Sequence, residues 1–185
     1  KDGLQHETEV REGYNRACLA SERFFASYRQ VKSPHERWSF GAEFTNEDSS
    51  KSITAETGGC VDIRMKMGHA DASQATDVLL LGLDISGKPF WSSRFPIGAS
   101  EGKCKGDFSI KLDPLTVGPG LYFVSIALLE VDDDGNVLVL SARHAELRLR
   151  VAVANISNPP LVHFSGGFNV LGSKMKQKAR VSAWI

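Results

Sequence analysis

The feature that most constrains this chain is an alternation of apolar and polar side chains that recurs along most of its length. In residues 61–67, the apolar Val, Ile and Met side chains alternate with Asp62, Arg64 and Lys66. Residues 38–44, 108–112 and 145–153 show the same pattern. A period of two is typical of a strand with one buried face and one solvated face. These segments are therefore predicted to be half-buried β-strands.

Further segments complete the set of strands. Residues 78–85 are apolar on both faces and precede the turn residues 86–89, residues 121–131 form a long apolar run, and residues 137–140 return after a turn at 132–135. At least seven strands with turn signals about every 8 to 12 residues are typical of sandwiches. The sequence thus predicts an all-β fold, an antiparallel β-sandwich of jelly-roll or immunoglobulin-like type.

Only the first part of the chain has a helical pattern. In residues 11–29, Tyr14, Cys18, Phe25 and Tyr28 are spaced four, seven and three apart, as one stripe of an amphipathic helix requires. Ser33-Pro34 is expected to end this helix, because proline cannot continue the hydrogen-bond ladder. The sequence is divided into a helical connector at 1–34, a sandwich domain at 35–160 and a tail at 161–185.

The end of the tail, residues 181–185, is mostly apolar. Exposed chain ends are usually polar, so this segment is expected to pair as an edge strand. The pairing is expected either within the chain or by exchange between two copies.

Composition excludes several functions. The 185 residues include 22 Lys and Arg against 22 Asp and Glu, and a neutral chain has no overall field to gather phosphates, so no nucleic-acid partner is expected. Cys18, Cys60 and Cys104 are far apart and outside any metal-ligand spacing, so no zinc site, disulfide framework or other cofactor is expected. This cysteine usage fits a reducing, cytoplasmic setting.

No catalytic motif is complete. Residues 98–104 resemble a phosphate-binding loop, but they have three residues between the glycines instead of four, and Cys104 replaces the Ser or Thr. The acidic residues at 130–134 lack the glutamate that completes a calcium loop, and the five histidines form no metal or triad motif. The protein is predicted not to be an enzyme, although a small sandwich enzyme acting on polysaccharide stays an alternative.

The residue types that remain suit a sugar ligand. Aromatic rings stack on the apolar face of a pyranose, while arginines and carboxylates form directional hydrogen bonds. Arg64 and Arg148 are the candidates for hydrogen bonds to hydroxyl or phosphate groups. Trp91 is the candidate stacking surface, with Tyr122 as a second aromatic.

The order of several motifs carries a resemblance. Segments 59–67 and 80–91, the latter with Asp84 and Gly87 in a D-x-x-G turn, are followed by the proline-leucine segment 107–115, a G-x-Y strand start at 118–126, and segment 145–151. In this order they resemble the carboxy-terminal domain of Wzt, the ATP-hydrolysing subunit of bacterial O-antigen polysaccharide exporters. The resemblance covers roughly residues 38–153.

The resemblance implies a jelly-roll-like domain that binds the finished O-antigen glycan, often at its modified non-reducing end, before an ABC transporter exports it. It further implies a homodimer, an ATPase domain elsewhere in the same polypeptide, a membrane permease subunit as partner, and a cytoplasmic location at the inner membrane. The alternatives are a dimerisation or assembly domain without ligand, or the enzyme considered above.

Overall fold

The computed structural model describes residues 2–30, 40–45, 50–67, 77–96, 106–113, 115, 117–131, 134–153, 169–171 and 181–182. The predicted helix stop at Ser33-Pro34, Trp38, and the loop at 98–104 lie outside these residues. The elements in chain order are α1 (Asp2–Ala26), β1 (Arg29–Gln30), β2 (Phe40–Phe44), β3 (Ser52–Glu56), β4 (Val61–Met67), β5 (Asp77–Asp84), β6 (Pro89–Pro96), β7 (Gly106–Leu112), β8 (Gly120–Val131), β9 (Val137–Ala152), β10 (Asn169–Leu171) and β11 (Val181–Ser182).

The strands form two sheets that pack face to face, which confirms the predicted all-β sandwich. The larger sheet has the order β1-β9-β8-β5-β6-β11, with β3 also paired to β9, and the smaller sheet has the order β10-β7-β4-β2. Pairing is antiparallel except for β1 and β3, which run parallel to β9. The core between the sheets includes the fully buried Ile63, Leu80, Ile110 and Ile126. The alternation in the sequence therefore marks this shared interior.

Strand β9 corrects the sequence-based reading, which separated residues 137–140 from residues 145–153. Its register against β8 shifts twice, between Leu128 and Leu129 and between Val124 and Ile126. On the amino-terminal side of these shifts, the β9 residues that face the core between the sheets are even-numbered, as at Leu140. On the carboxy-terminal side they are odd-numbered, as at Leu147 and Leu149. Since a β-bulge interrupts the period of two, one long strand looked like two.

Helix α1 covers the outer face of the larger sheet. It runs from Asp2 to Ala26, so the prediction of a helix is confirmed. The helix begins before the striped segment 11–29, and it ends at Ala26, before the predicted stop at Ser33-Pro34. The buried row is Gly13, Ala17, Ser21 and Phe25, each four residues from the next. Three of these residues are small, which lets the helix backbone approach the sheet closely. A Cβ atom on Gly13 would lie only 2.6 Å from the side chain of Ile85.

The turn between β5 and β6 is tied to the helix. The Asp84 carboxylate accepts hydrogen bonds from the backbone N–H of Ser86 at 2.8 Å and of Lys88 at 2.9 Å. Arg16 of α1 donates from Nε to the carbonyl oxygen of Ile85 at 3.1 Å. The D-x-x-G segment of the sequence is thus a closed turn on which the helix rests.

Strand β11 pairs antiparallel with β6 of the same chain, with Val181 opposite Ser93. The rest of the apolar end, residues 183–185, lies outside the described part, and exchange between copies stays a prediction, as does the division of the chain at residues 34 and 160. In the described residues, no helix combines the length and the apolar character that crossing a membrane requires.

Candidate functional site

A groove lies between the first half of α1 and the outer face of the larger sheet. Its volume is about 910 Å³, within the usual range of ligand pockets. Four elements line it, the helix, β3, β8 and β9. The lining residues are Glu7, Val10, Arg11, Tyr14, Lys51, Ser52, Thr54, Leu121, Phe123, His144, Ala145, Glu146, Arg148 and Arg150.

The helix wall of the groove presents an aromatic ring. Tyr14 is 45% exposed, and its ring meets that of the buried Phe123 edge to face, with centroids 6.2 Å apart. The pKa of the Tyr14 hydroxyl is raised. The largest cause is a hydrogen bond with Cys18, one turn along the helix, and the second is the electrostatic effect of the same Cys18 side chain. Tyr14 therefore presents a half-exposed ring to the groove, and the contact with Phe123 holds this ring in place.

The sheet wall is polar and positively charged. Arg148 donates from Nε to the Ser52 hydroxyl oxygen at 2.9 Å, and this bond fixes the plane of the guanidinium group. Lys51 forms an ion pair with Glu146 beside it. Among the described residues, the Nε–H of Arg148 is bonded to Ser52 and no partner of its two terminal nitrogens is found, so these nitrogens can donate to a ligand.

The inner end of the groove is a distorted part of β9. Ala145 has a φ of 47°, a left-handed conformation that costs a non-glycine residue about 1 kcal/mol or more. The buried Ser125 hydroxyl oxygen accepts a hydrogen bond from the Ala145 backbone N–H at 2.8 Å. This bond holds the bulge that brings His144 under the helix.

His144 joins the bulge to the helix. Its Nδ1 lies 2.8 Å from the Ser21 hydroxyl oxygen, and the Ser21 hydroxyl donates to the Cys18 carbonyl oxygen at 2.9 Å. The His144 Nδ1–H must therefore be the donor to Ser21. The His144 and Phe25 ring centroids are 5.7 Å apart. Burial lowers the pKa of His144, against a smaller opposite effect of Glu22, so the neutral ring is favoured.

The lowered pKa of His144 predicts a pH dependence of stability. The unfolded chain binds a proton at this residue more readily than the folded chain, so stability is retained above a pH of about 6.5 and lost as the pH falls from there toward the folded pKa. We expect His144→Gln to lose less stability than the wild type between about pH 7.5 and about pH 5.5. Urea unfolding followed by circular dichroism measures the difference.

A control separates proton binding from the hydrogen bond itself. Ser21→Ala should reduce the free energy of unfolding by about 1 kcal/mol at either pH, while keeping the pH dependence. Equal pH dependence in the wild type and His144→Gln would show that another group is responsible.

Two solved structures are similar to this chain in fold. The crystal structure of the C-terminal domain of Wzt has 15% identity and a TM-score of 0.45, over 77% of this chain and 90% of that chain. Dimeric latent PorU from Porphyromonas gingivalis has 13% identity and a TM-score of 0.40, over 67% of this chain and only 10% of that chain. No protein-family model matches the sequence, and no curated protein matches it.

The structure separates the two arginines that the sequence singled out. Arg148 lies in the groove on the outer face of the larger sheet. Arg64 alternates with core residues of β4 in the smaller sheet, and its guanidinium lies 3.9 Å from the Glu43 carboxylate. The two arginines therefore occupy opposite outer faces of the sandwich and cannot contact one small ligand together.

The two aromatic candidates lie together, away from the groove. Trp91 and Tyr122 are partly buried against the core between the sheets. The Phe90 ring is near both of them: its centroid is 6.1 Å from that of Trp91 and 4.7 Å from that of Tyr122. The Tyr122 hydroxyl donates to the carbonyl oxygen of Gly118 at 2.8 Å, and burial raises its pKa. Their proposed sugar contacts stay predictions, and their observed contacts support the fold.

The helix wall of the groove was not predicted from the sequence. Glu7, Arg11 and Tyr14 are four and three residues apart and therefore share one helix face. That spacing is visible in the sequence, but of these three residues only Tyr14 was predicted to lie on the helix stripe. Within the described ranges, no three His, Cys, Asp or Glu side chains are placed to hold a metal ion.

Proposed function

We propose that this protein is a non-catalytic glycan-binding domain, and that its ligand is an O-antigen polysaccharide held in the groove between α1 and the larger sheet. The observation that carries the proposal is the half-exposed Tyr14 ring opposite the oriented Arg148 guanidinium, on the two walls of one groove. A ring that covers the apolar face of a sugar, together with donors for its hydroxyl groups, is the usual composition of a carbohydrate site.

The motif order in residues 38–153, which resembles the Wzt carboxy-terminal domain, supports the finer part of the proposal. On this basis the glycan is recognised at its modified non-reducing end before an ABC transporter exports it. The partners are a second copy of the chain, an ATPase domain in the same polypeptide and a membrane permease subunit. The domain then acts at the cytoplasmic side of the inner membrane.

Calorimetric titration with purified O polysaccharide tests the proposal. We expect Tyr14→Ala to weaken binding about 10-fold, which corresponds to about 1.4 kcal/mol. Leu19→Ala is the matched control, because Leu19 is also exposed on α1, at 54%, but does not line the groove. It should change the affinity less than about twofold.

Comparing intact polysaccharide with end-trimmed polysaccharide then tests the recognition of the terminus. If the domain binds the modified end of the glycan, it should lose nearly all affinity when that end is trimmed off. No binding to either form by the wild type would contradict the proposed function, and a shortened polymer after incubation would show an enzyme instead.

A further inference from the structure

The charges in the groove point to a narrower class of ligand. Four cationic side chains line it, Arg11, Lys51, Arg148 and Arg150, against the two carboxylates of Glu7 and Glu146. The whole chain is neutral, with 22 basic and 22 acidic residues. The positive excess is therefore local to the groove and is not a consequence of a basic protein.

The existing ion pair does not remove this excess. Lys51 and Glu146 neutralise each other through their contact. Arg150 also has an interaction of its own, so Arg11 and Arg148 are the cations left to balance against Glu7. Arg148 lies on the sheet wall in β9, and Arg11 extends from the helix wall opposite it. An acidic group in the groove would have positive charge on both sides.

The orientation of Arg148 suits a planar anion. Its Nε is already bonded to Ser52, so the two terminal nitrogens form the remaining donor edge. An arginine edge of this kind binds a carboxylate through two parallel hydrogen bonds, which are roughly twice as strong as bonds between neutral groups. His144 adds no positive charge to the groove at neutral pH, because burial lowers the pKa of its ring.

We infer that the groove binds an acidic glycan, with a sugar carboxylate paired to Arg148 and supported by Arg11 across the groove, and with Tyr14 stacked on the ring of a neighbouring sugar. This inference rests on the proposed function and adds the class of sugar. A neutral glycan would supply no anion to Arg148 or Arg11. A carboxylate gains charge-assisted hydrogen bonds that a hydroxyl group does not give.

The experiment compares glycans that differ only in charge. The probes are oligogalacturonate and oligoalginate, each beside its fully methyl-esterified form, titrated into the full chain. We expect the acidic forms to bind at least about 10-fold more tightly than their esters. Raising the salt from about 0.1 M to about 1 M shortens the Debye length from about 10 Å to about 3 Å. The preference should shrink accordingly.

Three charge-removing variants locate the effect. Arg148→Gln should weaken binding of the acidic forms about 10-fold, and Arg11→Gln about threefold, with little change for the esters. Arg23→Gln is the matched control, since Arg23 is an exposed arginine on the same helix and outside the groove. It should leave all affinities unchanged, and the free energy of unfolding of each variant shows whether it is folded.

The outcomes separate the two proposals. Equal affinity for acids and esters, with binding lost in Tyr14→Ala, overturns the acidic preference and leaves the glycan-binding function in place. An acid preference that Arg23→Gln reduces as much as Arg148→Gln also overturns the inference, because the charge would then act from outside the groove. Failure of every probe and of purified O polysaccharide to bind overturns both proposals.

Discussion

Replacing Phe25 with alanine should reduce the free energy of unfolding by about 3 to 5 kcal/mol, the usual result of emptying a buried phenylalanine site. Phe25 is 1% exposed and is the large residue of the buried helix row. Its ring contacts both His144 on the bulge and Phe24 on the helix. The three other residues of the row are too small to hold the helix alone, so we expect the last turns of α1 to detach.

The measurement is thermal and urea unfolding followed by circular dichroism. For a chain of this size the loss corresponds to a fall in Tm of about 6 to 20 °C. Phe24→Ala is the matched control, because Phe24 is the neighbouring ring and is only partly buried, and it should cost much less. Glycan binding by Phe25→Ala should fall as well, since α1 forms one wall of the groove.

The same variant bears on the division of the chain at residue 34. A change in stability of the predicted size would mean that the helix is an integral layer of the domain. An unchanged free energy of unfolding would contradict the packing described here, and would favour a connector that leaves the sandwich independent of it.

The second large effect is expected at Gly82, in the central strand β5. A Cβ atom there would lie 2.4 Å from Nε1 of Trp91 and 2.8 Å from Cζ of Phe90. Such distances force both rings to move, and overpacking of this kind costs about 1 to 3 kcal/mol. We therefore expect Gly82→Ala to lower the urea midpoint and to shift the fluorescence of Trp91. Replacing the two other tryptophans by phenylalanine lets Trp91 report alone.

Gly41→Ala is the control for Gly82→Ala. Gly41 lies in β2, and a Cβ atom there would have no atom within 4 Å, so we expect no loss of stability and even a gain of about 0.4 to 1 kcal/mol. If Gly82→Ala is as stable as the wild type, the packing of Trp91 described here is wrong. If it binds glycan less well while folded, the sequence-based assignment of Trp91 as the stacking surface gains support over Tyr14.

The strands could be predicted from the sequence because apolar and polar residues alternate along a half-buried strand, and this alternation shows which side chains face the core. The segment 61–67 became β4 with the predicted bounds. Strand β3 was missed, since its burial alternates only between exposed and partly buried positions. Its partner β9 lies about a hundred residues further along the chain, and no local sequence pattern predicts a parallel pairing between strands so far apart.

The candidate site was harder to predict, for two physical reasons. Alternation shows that Arg64 and Arg148 both face away from the core, but it does not show which sheet each strand joins, and the two arginines lie on opposite faces. The predicted helix stripe was also defined by large side chains. The buried row is built mainly on Gly13, Ala17 and Ser21, and this leaves Tyr14 exposed at the groove.

The pairing of Ser21 with His144 joins residues 123 positions apart, and this separation has a consequence for synthesis. The ribosome produces α1 before the strand on which the helix docks, and more than a hundred residues separate the two. Until then the helix must keep its apolar row away from other nascent chains. A contact that closes so large a loop also forms slowly, so a chaperone that shields the helix should raise the yield of native protein.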